Sequence, residues 1–132
     1  MPRTRLSYLP ANAGPGYNFK SSEHISPYLE PTGSGVSARW ARHSAAKYGC
    51  TVAVGYPEKA EAPGLDAEHY NGLVVVGSDG EKLANYRKSF LYYTDATWAR
   101  EGQGFYGGRL GDLGQVAMGI CTCDSAPFGR GG

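Results

Sequence analysis

From Met1 to Pro31, apolar and polar positions follow neither a helical nor an alternating period, and Pro2, Pro10, Pro15, Pro27 and Pro31 interrupt the chain. This stretch reads as extended segments and loops. The pattern changes at Thr32-Gly33-Ser34-Gly35, where Ser34 is placed to cap a helix. Val36 to Tyr48 is rich in Ala and Arg, can put Trp40, Ala41, Ala45 and Tyr48 on one face, and meets Gly49 where a left-handed residue closes a helix. The pattern therefore predicts one clear helix over 36–48. Cys50 to Tyr56 is β-branched and apolar and predicts a buried strand. Pro57 to His69 is charged, holds two prolines and predicts a surface loop. Asn71 to Gly77 predicts a second apolar strand, Asp79-Gly80 a hairpin turn, and Lys82 to Lys88 the returning strand. Gly102 to Gly114 carries six glycines and reads mostly as loop, Gln115 to Cys121 as a last short strand, and Asp124 to Gly132 as a frayed tail. Strands outweigh helices, which makes the class α/β, and one helix covers only one face of a sheet.

Composition narrows the functional classes. A chain of 132 residues fits one domain with a real core. Thirteen Lys and Arg against twelve Asp and Glu leave a net charge of +1, so there is no electrostatic footprint for nucleic acid or an anionic membrane. The longest apolar run, Leu73 to Val76, is far too short to cross a bilayer, and the first ten residues hold no apolar stretch of signal-peptide length. The expectation is a cytoplasmic protein. Three cysteines, Cys50, Cys121 and Cys123, argue against a disulfide framework.

Two residues stand where chemistry is feasible. Lys88 ends a predicted strand among aromatic and apolar neighbours, where an ammonium could hold a developing oxyanion. Cys121 ends another strand, where a thiolate with a nearby cation or base becomes a nucleophile. Composition alone favours plainer roles, a solvated lysine and a small buried cysteine.

Their flanks change the balance. Tyr86-Arg87-Lys88-Ser89-Phe90-Leu91 followed by Gly119-Ile120-Cys121 resembles the lysine and cysteine motifs of the nitrilase superfamily of carbon–nitrogen hydrolases. Arg100-Glu101-Gly102 with Phe105-Tyr106 resembles the stretch that carries that family's second glutamate. Gly16-Tyr17-Asn18-Phe19-Lys20, His24 to Pro31 and Val54-Gly55-Tyr56-Pro57-Glu58 are similar to the fungal branch that acts on N-terminal Asn and Gln. The matching segments run from about 9 to 121, so residues 1–132 read as a partial carbon–nitrogen hydrolase domain. The resemblance implies part of an α-β-β-α sandwich. It implies Cys121 as nucleophile, Lys88 as the cation that steadies the tetrahedral intermediate, and Glu101 as the carboxylate that positions lysine and substrate. The implied substrate is the side-chain amide of an N-terminal Asn or Gln on a protein or peptide. No cofactor and no metal are implied.

The chain departs from the family at defined places. The general-base glutamate is expected in a Leu-Pro-Glu context, and here Leu9-Pro10 is followed by Ala11. Loss of such a base forfeits about 10²–10⁴-fold in rate. Glu23, Glu30 and Glu58 are substitutes by residue type, although each reads as a solvated surface charge. Met1 to Tyr8 is short for the family's first strand and helix, eleven residues follow Cys121, and Cys123 stands where an acidic residue is expected, with Asp124 one later. Hydrolysis by an impaired copy is therefore set against a non-catalytic fragment serving as a binding or assembly module. Unpaired strand edges predict homo-oligomers. A metal site from His24, His43, His69 and the Cys121–Cys123 pair lacks a second paired ligand set, and a one-residue cysteine spacing is not that of the usual redox pair.

Overall fold

The computed structural model describes residues 6–9, 21–89, 91, 95–104 and 106–119. In chain order these form β1 (Leu6–Leu9), α1 (Ser22–Ile25), β2 (Glu30–Pro31), α2 (Val36–Tyr48), β3 (Thr51–Ala60), β4 (Glu68–Val76), β5 (Lys82–Arg87), β6 (Tyr106–Arg109) and β7 (Gln115–Met118), with 3-10 turns at Ser26–Tyr28, Asp95–Thr97 and Gly111–Leu113. β1, β3, β4 and β5 lie side by side in that order, and β2 also pairs with β3. β1 and β2 run parallel to β3, β4 runs antiparallel to β3, and β5 runs antiparallel to β4. The class is α/β, strand-rich and with few helices.

α2 has the predicted bounds, and Gly49 closes it with a φ of 60°. Its start and its buried face differ from expectation. The N-cap is Gly35, not Ser34, and it offers no side chain to the helix. Glu30 supplies the cap from β2, its carboxylate accepting from the Ser37 amide at 2.6 Å and the Ser37 hydroxyl at 2.7 Å. A Cβ on Gly35 would stand 2.6 Å from that carboxylate, so glycine makes room for the distant cap. The face toward the sheet is Ala38, Ala41 and Ala45, whereas Trp40 and Tyr48 are exposed. The helix lies close to the strands, and only small side chains fit between them. Cys50, Val52, Val54, Tyr56, Val74 and Val76 complete this core.

Three expectations for strands and loops change. β3 continues through Pro57 and Glu58 to Ala60, so the connection to β4 is only 61–67. Proline is tolerated there because β1 partners stop at Val54 and β2 partners begin at Glu58, leaving 55–57 unpaired on that edge among the described residues. The opening stretch, read as extended segments and loops, holds one helical turn, α1, whose amide at His24 is capped by the Ser21 hydroxyl. The glycine-rich stretch after Gly102 contains β6, which pairs with β7. The hairpin before β5 forms as predicted: Gly80 takes a φ of 85°, and the Asp79 carboxylate accepts from the Glu81 amide at 3.0 Å.

The second face of the sheet carries Ala53, Leu73, Val75, Ala84, Tyr86 and Leu110. Leu83, Tyr106, Leu113, Val116 and Met118 pack against it, so the β6–β7 pair lies over this face. The sheet is thus layered between α2 on one side and a small second sheet on the other. No helix among the described residues is long and apolar enough to cross a membrane.

Candidate active site

Alternate residues of a strand face opposite sides of a sheet. At the end where β4 begins and β5 finishes, the two sides differ sharply in chemistry. On the α2 side Glu58 is fully buried. Arg87 Nη2 donates to Glu58 Oε1 at 2.7 Å, and Arg87 Nε donates to the two oxygens at 3.2 and 3.1 Å. The Thr32 hydroxyl donates at 2.6 Å and Asn85 Nδ2 at 3.2 Å. Burial alone would raise the Glu58 carboxyl, but Arg87, Thr32 and Asn85 together hold it below the usual carboxylate range. Tyr56 completes the network: its hydroxyl accepts from the Gly33 amide at 3.1 Å and donates to Asn85 Oδ1 at 2.5 Å. Burial pushes the Tyr56 phenol well above its ordinary value. A Cβ at Gly72 would lie 3.2 Å from Glu58 Oε2, so this glycine inside an apolar strand leaves space for the carboxylate.

The network reaches the strand ends through stacking. The Arg87 guanidinium lies 4.1 Å from the Tyr70 ring centroid. The Tyr70 hydroxyl donates to Glu68, and Arg100 pairs with the same carboxylate. The hydrogen bond from Tyr70, reinforced by Arg100, holds the Glu68 carboxyl below its usual range.

Lys88 follows β5 and is fully buried, not solvated as composition suggested. Two backbone bonds fix it. Its amide donates to the Asn71 carbonyl at 2.8 Å, and its carbonyl accepts from the Gly102 amide at 2.9 Å. By register Lys88 continues the series Ala84–Tyr86, and Asn71 continues Val75–Leu73, on the side facing β6–β7. Glu101 is exposed and belongs to the segment docked here, because the Arg100 amide also donates to the His69 carbonyl at 2.8 Å. A Cβ at Gly102 would come 2.3 Å from the Arg87 carbonyl oxygen, so only glycine allows this approach. Glu101 lines an open cleft of about 620 Å³ with Tyr70, Leu91, Ala96, Ala99 and Arg100. Ile25, Trp98 and Ala99 form a small core beneath the segment. The fold thus brings the Lys88 and Glu101 segments together from thirteen positions apart in sequence.

Residues 3–127 match the carbon-nitrogen hydrolase family. The chain belongs to that family. It is 36% identical over 127 residues to the protein N-terminal amidase of Schizosaccharomyces pombe, a match covering 94% of this chain and 44% of that protein. The chain therefore spans less than half the length of this relative. A crystal structure of an N-terminal amidase with an Asn-Glu-Ala peptide superposes with a TM-score of 0.70 at 33% identity, covering 78% of this chain and 24% of that one. A Saccharomyces cerevisiae member of branch 10 of the nitrilase superfamily shares the fold, with a TM-score of 0.70 at 23% identity over 91% of this chain and 43% of its own. The expected α/β class with nitrilase-type architecture and the kinship with fungal N-terminal amidases are thus both found.

In this member of the carbon-nitrogen hydrolase family the remaining sequence candidates divide. Cys121, Cys123 and Ala11 lie outside the described residues. Cys50 is a buried core residue. Of the three substitute carboxylates, Glu23 is solvated as expected, but Glu30 and Glu58 are not. Glu30 caps α2, and Glu58 is locked on the α2 side, away from the face of Lys88. Both carboxylates are committed to other partners, Glu30 to Ser37 and Glu58 to Arg87. His24, His43 and His69 sit on α1, α2 and β4, and no group of three His, Cys, Asp or Glu side chains converges among the described residues. Sequence reasoning did not single out Asn71. A lone polar residue opening the run Asn71-Gly72-Leu73-Val74-Val75-Val76 was the available signal.

Proposed function

We propose that this chain carries the reactive lysine, supporting glutamate and nucleophile of an amidase that hydrolyses the side-chain amide of an N-terminal Asn or Gln. The observation that carries the reading is the burial of Lys88 where β4, β5 and the Glu101-Gly102 segment meet, in a member of the carbon-nitrogen hydrolase family. A preorganised ammonium in a water-excluded site stabilises charge that develops in a transition state. Similarity to protein N-terminal amidases, one of them crystallised with an Asn-Glu-Ala peptide, supports the choice of substrate.

In this reading the Cys121 thiolate attacks the amide carbon, and the C=O π electrons move to oxygen. Lys88 donates to that oxyanion, and Glu101 aligns the reacting groups. The tetrahedral intermediate collapses as the C–N bond breaks, and the nitrogen leaves with a proton as ammonia. Water then attacks the thioester and releases a carboxylic acid and the thiol. Ala11, at the position of the base, makes proton removal from Cys121 the weak step, slowing turnover by about 10²–10⁴-fold. Ala11 also supports a second reading, a module that binds N-terminal amides without turning them over. Ammonia release from an Asn-initiated peptide separates the two. Slow release that stops in Cys121→Ala and rises in Ala11→Glu supports the amidase. Binding with no release, even in Ala11→Glu, supports the module.

A further inference from the structure

Two buried polar atoms near Lys88, Asn71 Oδ1 and the Tyr86 hydroxyl, find no hydrogen-bond partner among the described residues. Their placement is the informative part. Tyr86 precedes Lys88 by two residues and pairs with Leu73, and Asn71 stands directly across from Lys88. Both belong to the face of the β4–β5 pair that carries Lys88. On the opposite face of the same sheet, Tyr56 and Glu58 of β3 and Asn85 and Arg87 of β5 are all hydrogen-bonded. A carbonyl oxygen stranded in the interior is costly, and a Leu or Val at 71 would extend the apolar run without that cost. Asn71 is only 2% exposed.

We infer that Asn71 is a specificity-determining residue, its Oδ1 accepting a hydrogen bond from the –NH₂ of the substrate's primary carboxamide. The inference rests on the amidase reading above and adds a residue to it. A primary carboxamide presents one acceptor oxygen and two N–H donors. Lys88 has only donors to offer, so it serves the oxygen and leaves the nitrogen end unserved. Asn71 Oδ1 is an idle acceptor on the same face, one strand away. With both ends met, the carbonyl is oriented toward the lysine. The acid product presents acceptors at both ends, so one carboxylate oxygen would face Asn71 Oδ1 without a proton between them. The pair thereby prefers the amide over the acid and disfavours retention of product.

The test is equilibrium binding by titration calorimetry on the Cys121→Ala chain, which cannot turn over. Two tripeptides are compared, one beginning with Asn and the other with Asp. Asn71→Leu is expected to weaken the Asn peptide about tenfold while leaving the Asp peptide within about twofold, so the amide-to-acid ratio falls about tenfold, the worth of one hydrogen bond. Asn71→Asp keeps shape and acceptor and adds negative charge. It is expected to keep the Asn peptide within a few-fold and to weaken the Asp peptide further, and it decides the matter if the Leu variant does not fold. A merely structural role would lower both affinities together and leave the ratio unchanged, which would overturn the role of Asn71 while the amidase reading stood. Failure of the parent chain to bind either peptide would overturn both, and would do so before any Asn71 variant was measured.

Discussion

The two faces of the β4–β5 pair, built from alternate residues of the same strands, follow opposite rules. On the α2 side a buried carboxylate meets a guanidinium, a hydroxyl and an amide, and every polar group in that network has a partner. On the other side a fully buried lysine stands across from an amide oxygen with no donor among the described residues. The first arrangement closes on itself and holds the strand ends in register. The second leaves an acceptor open among the described residues. A closed buried network is a structural device, and an unsatisfied acceptor beside a buried cation marks a candidate binding site.

The largest effect that would break this comparison is at Lys88. In Lys88→Met, amide hydrolysis should fall by about 10²–10³-fold, the usual loss on removing an oxyanion donor, with little change in the thermal midpoint. A large drop in stability with activity per folded molecule intact would move Lys88 to the structural side. Glu58→Gln should do the reverse. It leaves Arg87 without its charge partner and should cost about 3 kcal/mol, the low end for a broken buried pair because Arg87 stays about one third exposed. KM for an Asn-initiated peptide should not change in the fraction that remains folded. Urea melts with parallel kinetics would check both.

Acid sharpens the same contrast. The Glu58 carboxyl is held below its ordinary value of 4.5. Its contribution is fully present above about pH 4.5 and is lost as pH falls through the lower folded-state value, because the unfolded chain takes up the proton first. Stability of the parent should therefore decline on acidification below about pH 4.5, and that component of the slope should be missing in Glu58→Gln. The smallest effect is expected at Glu30→Gln, where the amide oxygen still caps α2 but the charge at its N-terminus is lost, costing about 0.5–1 kcal/mol without changing peptide affinity.

How much of this was legible depended on whether the deciding partner was local. The limits of α2 were readable because Ala-rich sequence and Gly49 act within the helix itself. Its buried face was not, since Trp40 and Tyr48 are excluded by the closeness of β3 and β4, a tertiary fact. Glu58 read as a surface charge because its partners Thr32, Asn85 and Arg87 lie 26, 27 and 29 positions away. Gly72 inside an apolar strand was the one nearby sign that something bulky approaches it. β6 was hidden by its glycines, because pairing with β7 rather than intrinsic preference makes it a strand. Lys88 and Glu101 were found through motif resemblance, and the fold adds the reason they belong together: Gly102 brings their backbones into contact.

The measurement that tests the central claim most directly is ammonia release from a short Asn-initiated peptide by the parent chain, Cys121→Ala, Lys88→Met and Ala11→Glu, each verified as folded. Slow release is expected from the parent, none above background from Cys121→Ala, a loss of about 10²–10³-fold in Lys88→Met, and a gain in Ala11→Glu. Release that persists in folded Cys121→Ala and Lys88→Met, or its absence from every folded chain including Ala11→Glu, would contradict that claim.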